Sequence, residues 1–467
     1  MANLILKIPG NSKAYLFAKR DDAQDKFDVK KFLFNYGVAT EAAAPPPIYL
    51  TLTGLWLSNS ILADWDVGIS QTRLDPDWYD GNTTYYFEVY GNKYAGTSHT
   101  VTLVDEEDNE YAEIEFTADS GGNVKRRVEF TPATGEHIYS MILGTPVGAT
   151  GGLHVARSFI VVEQDDTMTK NSTEYQLAQP YIGGYTNNKG AGCVAAANRF
   201  SYSQQDEGEY VNYDEMYYGM WEYDASITGL DSVLFEVVGM GFLPYGEEDP
   251  VCLYAALFDR TTNTMVPDTE LVFDNYPSGA PDWLFPWENK SVSIPVSSLT
   301  QGHIYELRCK TMDDWWNVVV GKAALRLMQS STNSSGTIYR RQIGNVMDLD
   351  DVSFPDWDAV YCEVPNGFNA YFEVIGSAVV SESDTVSLAD MGVIDPITGD
   401  THTDVEGSEL LFDVGRTLSV AGPLALTDGN VYTYQRTFSY FEDEYDENLR
   451  YWYNSLYTMC FLVLKSD

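Results

Sequence analysis

Among residues able to do chemistry, carboxylates dominate: the chain of 467 residues has 69 Asp and Glu against 28 Lys and Arg and five His. A glycosidase needs two carboxyls facing each other across a sugar, one of them kept protonated. With so many acids some pair always fits, so a pair alone is uninformative. One carboxylate is sharper because it recurs. Glu88, Glu236 and Glu373 each follow Phe and precede Val in the matching pentapeptides 87–91, 235–239 and 372–376. Three identical catalytic centres in one chain would be unusual. A Glu that satisfies neighbouring donors, or faces solvent at an edge, recurs simply because its strand recurs. The expectation is therefore a structural role.

Histidine offers less. His137 and His303 follow turn glycines at matching places, and Asn430 stands there in the third copy. A catalytic base would not be replaced in that way, so turn capping or exposure is expected. The sequence holds no GxSxG elbow, no HExxH and no zinc-type cysteine spacing. These observations point away from an enzyme.

A hard cation is the next candidate. Asp75, Asp77 and Asp80 superficially resemble a calcium loop, with the third acid one place late and Tyr86 where a bidentate Glu belongs. The alternative is an acidic turn whose Asp side chains cap backbone amides. Calcium at Asp75, Asp77 and Asp80 is kept as an expectation, with no other cofactor. Aromatics complete the set. Trp283, Trp287, Trp315, Trp316, Tyr217 and Tyr218 lie in loop-like stretches, where such rings stack on sugars, anchor interfaces or fill the ends of a core.

The elements that would hold these residues repeat. Phe and Val of each pentapeptide share one strand face and Glu takes the other, so each copy reads as a central, mostly buried strand that a Gly ends. A turn Gly before a strand containing Tyr follows each copy, at Gly135, Gly302 and Gly429, and an apolar exit strand follows that. The fold expected is all-β: three tandem β-sandwich domains, jelly-roll or Ig-like, with an amino-terminal arm. The boundaries read as 1–47 for the arm and its Pro-rich linker, then 48–165, 166–331 and 332–467 for the sandwiches. Within the arm, residues 21–34 carry the best helical pattern of the chain. Residues 99–104 and 111–117, joined by an acidic turn, predict a hairpin.

Charge and composition narrow the partners. The net charge of −41 opposes nucleic acid and anionic membrane, both of which need Lys and Arg. The amino terminus lacks a long apolar signal core, and the five cysteines form no metal spacing, so free thiols and synthesis in a cytoplasm are expected. Repeated sandwiches, an arm and aromatic loops together point to a non-enzymatic structural or interaction protein. The reading is a virion component made in a host cytoplasm: tailed-phage capsid decoration, head fibre or tail attachment. Its partners would be itself or other virion proteins such as a capsid lattice, and host-surface glycan is a further candidate. The competing reading is a carbohydrate-binding protein or a glycosidase with accessory sandwiches.

Overall fold

Strand-period alternation shapes this chain, and it forms antiparallel sheet wherever sheet is described. A computed structural model describes residues 3–7, 15–19, 45–53, 57–58, 71–93, 98–117, 124–144, 153–165, 167–178, 219–227, 229–240, 252–274, 287–310, 319–330, 338–347, 360–361, 368–378, 387–394, 401–404, 410–412, 415–426, 431–438 and 456–466. The chain divides into two units, Met1–Ala43 and Ala44–Asp467. In the first, β1 (Asn3–Lys7) pairs with β2 (Tyr15–Lys19). The helix expected over 21–34 lies outside the described residues.

The second unit holds three sandwiches. The first uses β3 (Ile48–Thr53), β4 (Leu57–Ser58), β5 (Gln71–Leu74), β6 (Thr84–Lys93), β7 (His99–Val104), β8 (Glu110–Phe116), β9 (Val124–Phe130), β10 (His137–Gly144) and β11 (Leu153–Glu163). Its sheets run β3-β11-β6-β9 and β5-β10-β7-β8, with β4 pairing β11. The second uses β12 (Asn171–Ala178), β13 (Met220–Glu222), β14 (Leu230–Met240), β15 (Leu253–Asp259), β16 (Thr264–Met265), β17 (Leu271–Phe273), β18 (Glu288–Pro295), β19 (Ile304–Lys310) and β20 (Val319–Gln329). Its sheets run β12-β20-β14-β18 and β13-β19-β15-β16, with β17 beside β15. The third uses β21 (Ile338–Met347), β22 (Val360–Tyr361), β23 (Phe368–Ala378), β24 (Ser387–Ile394), β25 (Thr401–Asp404), β26 (Leu410–Phe412), β27 (Gly415–Leu424), β28 (Val431–Phe438) and β29 (Leu456–Ser466). Its sheets run β21-β29-β23-β27 and β22-β28-β24-β25, with β26 beside β24.

Counting the eight main strands of a sandwich in chain order, one sheet reads first, eighth, third, sixth. The other reads second, seventh, fourth, fifth. The order is the same in all three and is that of a jelly roll, two Greek keys folded face to face. Strand spacing alone left an Ig-like winding open, and the pairing decides against it.

Each pentapeptide lies where its alternation puts it, in an interior strand: β6, β14 or β23. Phe87, Phe235 and Phe372 are fully buried, as are Val89, Val237 and Val374. Each Phe stands opposite an aliphatic residue of the exit strand: Ile160, Leu325 or Leu462. The final Gly does not end the strand, contrary to expectation, since β14 runs on to Met240. A Cβ at Gly239 would lie 2.6 Å from Leu253 Cδ2, so this Gly lets the facing sheet come close.

The turn glycines have a conformational reason. Gly135 and Gly302 adopt φ +88° and +73°, and a Cβ there would meet nothing within 4 Å, so backbone handedness and not space selects Gly. The Tyr that follows accepts a backbone N–H from its own loop: Ala133 N donates to Tyr139 Oη, and Thr300 N to Tyr305 Oη, both at 2.8 Å. Each phenol therefore pins the loop before its strand, as the corner tyrosine of a β-sandwich does. The hairpin β7–β8 forms as expected, and Asp105 closes it by accepting from Glu107 N, Asn109 N and Tyr111 Oη. Among the described residues, Cys252 and Cys309 are free thiols.

Candidate functional site

The first strands of the three sandwiches, β3, β12 and β21, contact one another pairwise. Around them the outward face of one sandwich meets the side of the next. The recurrent Glu sits on that outward face, because Phe and Val of its strand take the inner one. Glu88 and Glu236 are nevertheless fully buried. A buried charge needs a partner, and each copy finds one on a different strand. Lys125 of β9 lies 3.1 Å from Glu88, and Tyr90 Oη donates to Glu88 at 2.9 Å. Arg326 of β20 reaches Glu236 at 2.9 Å. Arg340 of β21 pairs with Glu373.

The junction between the first and second sandwiches is ionic. Arg326 Nε donates to Glu236 Oε2, while its Nη2 donates to Thr72 Oγ1 at 2.6 Å and lies 3.1 Å from Glu174 Oε2. Lys322 Nζ donates to Thr51 O at 2.7 Å, Thr72 Oγ1 at 3.0 Å and Glu174 Oε2 at 3.0 Å. Thr51 N donates to the other Glu174 oxygen, and Arg73 N with Asn289 Nδ2 completes Glu236. The guanidinium also lies 5.6 Å from the Trp78 ring centre. Two cations and two carboxylates, from β12, β14 and β20, thus lock onto β3 and β5. All four side chains are within 1% of full burial.

Burial by itself would raise the Glu236 carboxyl. The charges of Arg326 and Lys322, the Asn289 donor and Arg73 outweigh it and hold the group at about 2. Arg326 would lose basicity through burial, and Glu236 and Glu174 reverse this and push it up. Glu236 is therefore held ionised, the opposite of what a general acid requires. Tyr79 hydrogen-bonds Ser172 O at 3.2 Å across the same junction, and burial raises its phenol.

The next junction has the same geometry and a different chemistry. Strand register makes Val463 the counterpart of Arg326, and Trp221 the counterpart of Thr72. Ile375, Phe461 and Val463 of the third sandwich join the core cluster of the second. Arg340 lies flat against it, its guanidinium carbon 3.4 Å from the Phe461 ring centre and 4.4 Å from that of Tyr175. The outward face of the first sandwich is apolar too: Tyr90, Phe159 and Val161 are buried, with Tyr49 and Tyr86 packed beside them.

The sequence-derived candidates fall as follows. Asp75 caps the short 3-10 turn Pro76–Trp78 by accepting from Asp77 N at 2.9 Å, and Asp77 itself is exposed. Asp80 accepts from Thr169 N at 2.6 Å and Lys170 N at 2.8 Å. Asp75 and Asp80 thus spend oxygens on backbone amides. Among the described residues, no three His, Cys, Asp or Glu gather as metal ligands would. Trp287 is half-buried and packs against the apolar cluster that contains the first sandwich's core. Its near neighbour Asn289 takes Arg73 of that sandwich through both its carbonyls. Trp283, Trp315, Trp316, Tyr217 and Tyr218 lie outside the described residues. His137, the first residue of β10, sits 3.2 Å from Glu106, and His303, just before β19, sits 2.7 Å from Asp259. Sequence reasoning missed Lys322, Arg326 and Glu174. The signal available was an Arg and a Lys inside an apolar exit strand, Lys322-Ala323-Ala324-Leu325-Arg326.

No family model matches the chain, and no curated protein matches it. Among solved structures, PNGase F, a glycosylasparaginase from Flavobacterium meningosepticum, aligns at 9% identity and TM-score 0.21 over 64% of this chain and 96% of its own. A tandem CBM22 pair from Paenibacillus barcinonensis Xyn10C aligns at 12% identity and TM-score 0.18, over 62% of this chain and 99% of that one. Sulfolobus Turreted Icosahedral Virus gives 8% identity and TM-score 0.16 over 91% of both chains. Likenesses this low carry no argument about function.

Proposed function

We propose that this chain is a non-enzymatic structural and interaction protein, a component of a virion: a capsid decoration, head fibre or tail attachment protein of a tailed phage. The observation that carries the reading is the buried, charge-balanced junction of Lys322, Arg326, Glu174 and Glu236 against Thr51 and Thr72. Domains that move for catalysis or capture meet through modest, wet interfaces. Here two basic and two acidic side chains are buried between two jelly rolls, and prising them apart would separate Lys322 and Arg326 from Thr51 and Thr72. The neighbouring junction is sealed by Ile375, Phe461 and Val463. Such a body acts as one stiff piece, which suits a particle component that must hold its loops in fixed relation. The excess of negative charge favours solubility before assembly and docking on a basic surface.

The test is to purify particles from a culture that makes the protein and quantify it by mass spectrometry after gradient fractionation. The reading expects it in the particle band at a copy number set by the particle's symmetry. Recovery only at the top of the gradient, with no binding to isolated particles, overturns it. A glycan array run on the same protein separates attachment to host sugars from attachment to the particle alone.

A further inference from the structure

The two junctions repeat one geometric step. At the first, Lys322 and Arg326 on the outward face of the second sandwich reach Thr51 on β3 and Thr72 on β5 of the first. At the second, Ile375, Phe461 and Val463 on the outward face of the third pack with Tyr175 on β12 and Trp221 on β13 of the second. Each time, a face rests on the flank formed by the first strands of the sandwich before it. Head-to-tail contacts of this kind generate a ring if the rotation closes and an open helix if it does not. In an open helix of three, the face of the first sandwich and the flank of the third would both stay bare.

Two observations favour the closed form. β21 of the third sandwich contacts β3 of the first, just as β3 contacts β12 and β12 contacts β21. Tyr339 of β21 and Phe372 of β23 also belong to the same apolar cluster as Leu50 and Phe87 of the first sandwich. The second observation is that the outward face of the first sandwich is covered. Register makes Arg157 the counterpart of Lys322, Phe159 that of Ala324 and Val161 that of Arg326. All three are within 4% of full burial, and Glu88, opposite Phe159, is fully buried. A sheet face with that burial has a neighbour lying on it.

We infer that the three sandwiches close into a pseudo-threefold ring, in which the outward face of the first rests on the flank of the third, β21 and β22. The register positions of the third sandwich that correspond to Thr51 and Thr72 are Gln342 and Val360, and this third junction is centred on them. Its chemistry lies between that of the other two. Arg157 and Glu88 keep one charge of each sign, while Phe159 and Val161 stand where the ionic junction has Ala324 and Arg326. One chain thereby takes the form of a cyclic trimer of jelly rolls. The inference does not depend on the virion reading, since the ring closes or fails to close whatever the chain binds.

Distances between matched points test closure in the full chain. Thr134, Gln301 and Asp428 each precede one of the three turn glycines. Spin labels attached there through an unnatural amino acid, two sites at a time, leave the native cysteines in place. Dipolar spectroscopy should give three distances that agree, because a closed ring makes every pair of neighbours equivalent. A 134–428 distance well beyond the other two means an open arrangement and overturns the inference. The occupant of the face is tested by Phe159→Ala, which the strand accepts because its counterpart is Ala324. Amide exchange should quicken in β21 and β22 by roughly tenfold or more, the effect of losing a large buried side chain at a contact, while β15 and β19 keep their rates. Deleting residues 1–43 should leave exchange in β11 and β21 unchanged. Unchanged exchange in β21 and β22 after Phe159→Ala overturns the inference. So does exchange that quickens in β11 once residues 1–43 are gone, since the amino-terminal unit would then be what covers the face.

Discussion

Replacing Arg326 by Met tests the dry ionic junction directly. The side chain is fully buried and holds Glu236 at 2.9 Å, Thr72 at 2.6 Å and Glu174 at 3.1 Å. Met fills similar volume, and the counterpart position in the third sandwich is Val463, so the strand accepts an apolar residue there. The loss is then electrostatic. Glu236 then keeps Asn289 and the Arg73 amide, with no cation in direct contact, and Glu174 keeps Lys322, the Thr51 amide and Gln176. Removing one partner from a buried ion pair costs about 3–5 kcal/mol. At roughly 2–4 °C per kcal/mol for a cooperative unit of about 150–250 residues, Tm should fall by about 6–20 °C. Calorimetry at neutral pH measures it, and raising salt should leave the deficit in place because a buried pair is little screened. The companion variant carries both Arg326→Met and Glu236→Leu. It removes the orphaned charge and should be clearly more stable than Arg326→Met alone, since replacing a buried pair by apolar residues is often nearly neutral. A fall under about 2 °C for the single change, against the few degrees per kcal/mol expected, would mean that water reaches the guanidinium. A double variant no better than the single would show that packing and not charge holds the junction. Either result refutes the reasoning.

Three further outcomes are expected. Glu236 is depressed in the folded chain to about 2, from the ordinary value of 4.5, so its contribution is complete above pH about 4.5 and disappears as pH falls towards 2. Acid titration of Tm should therefore be shallower between those values in Glu236→Gln than in the wild type. Tyr139→Phe and Tyr305→Phe each remove the acceptor for one loop amide and should cost about 1 kcal/mol apiece by denaturant midpoint. The two should add within about 0.5 kcal/mol, because they sit in different sandwiches. Gly239→Ala drives a Cβ to 2.6 Å from Leu253 Cδ2, beside Phe273, and overpacking of that kind costs about 1–3 kcal/mol. A Gly135→Ala change meets no atom within 4 Å and should cost only the left-handed backbone, about 1–2 kcal/mol.

Much of the local structure could be read from residue order. The alternation at 87–91, 235–239 and 372–376 placed three interior strands, and Phe87, Phe235 and Phe372 are all fully buried. The Gly-then-Tyr marker found two loops pinned in the same way. The meaning of the terminal Gly was misread, because Gly239 answers to Leu253 on the facing sheet and not to its own strand. Trp287 belongs to the aromatics whose loop positions suit sugar stacking, an interface or the end of a core, and it is half-buried against the cluster that includes a neighbouring sandwich's core.

Alternation is a property of adjacent residues, so the chain alone settled the all-β class, the triplication and which side of each strand carries Glu. It could not settle the winding, because jelly-roll and Ig-like orders use the same strands and differ only in which ones pair. Nor could it show that the Glu side would be dry. That depends on a second sandwich more than a hundred residues away in sequence, with Thr51 and Thr72 meeting Lys322 and Arg326. The cations that neutralise the three glutamates come from β9, β20 and β21, at offsets no motif could encode. Burying a charge is a cost set by what surrounds it, and only the packed chain supplies those surroundings.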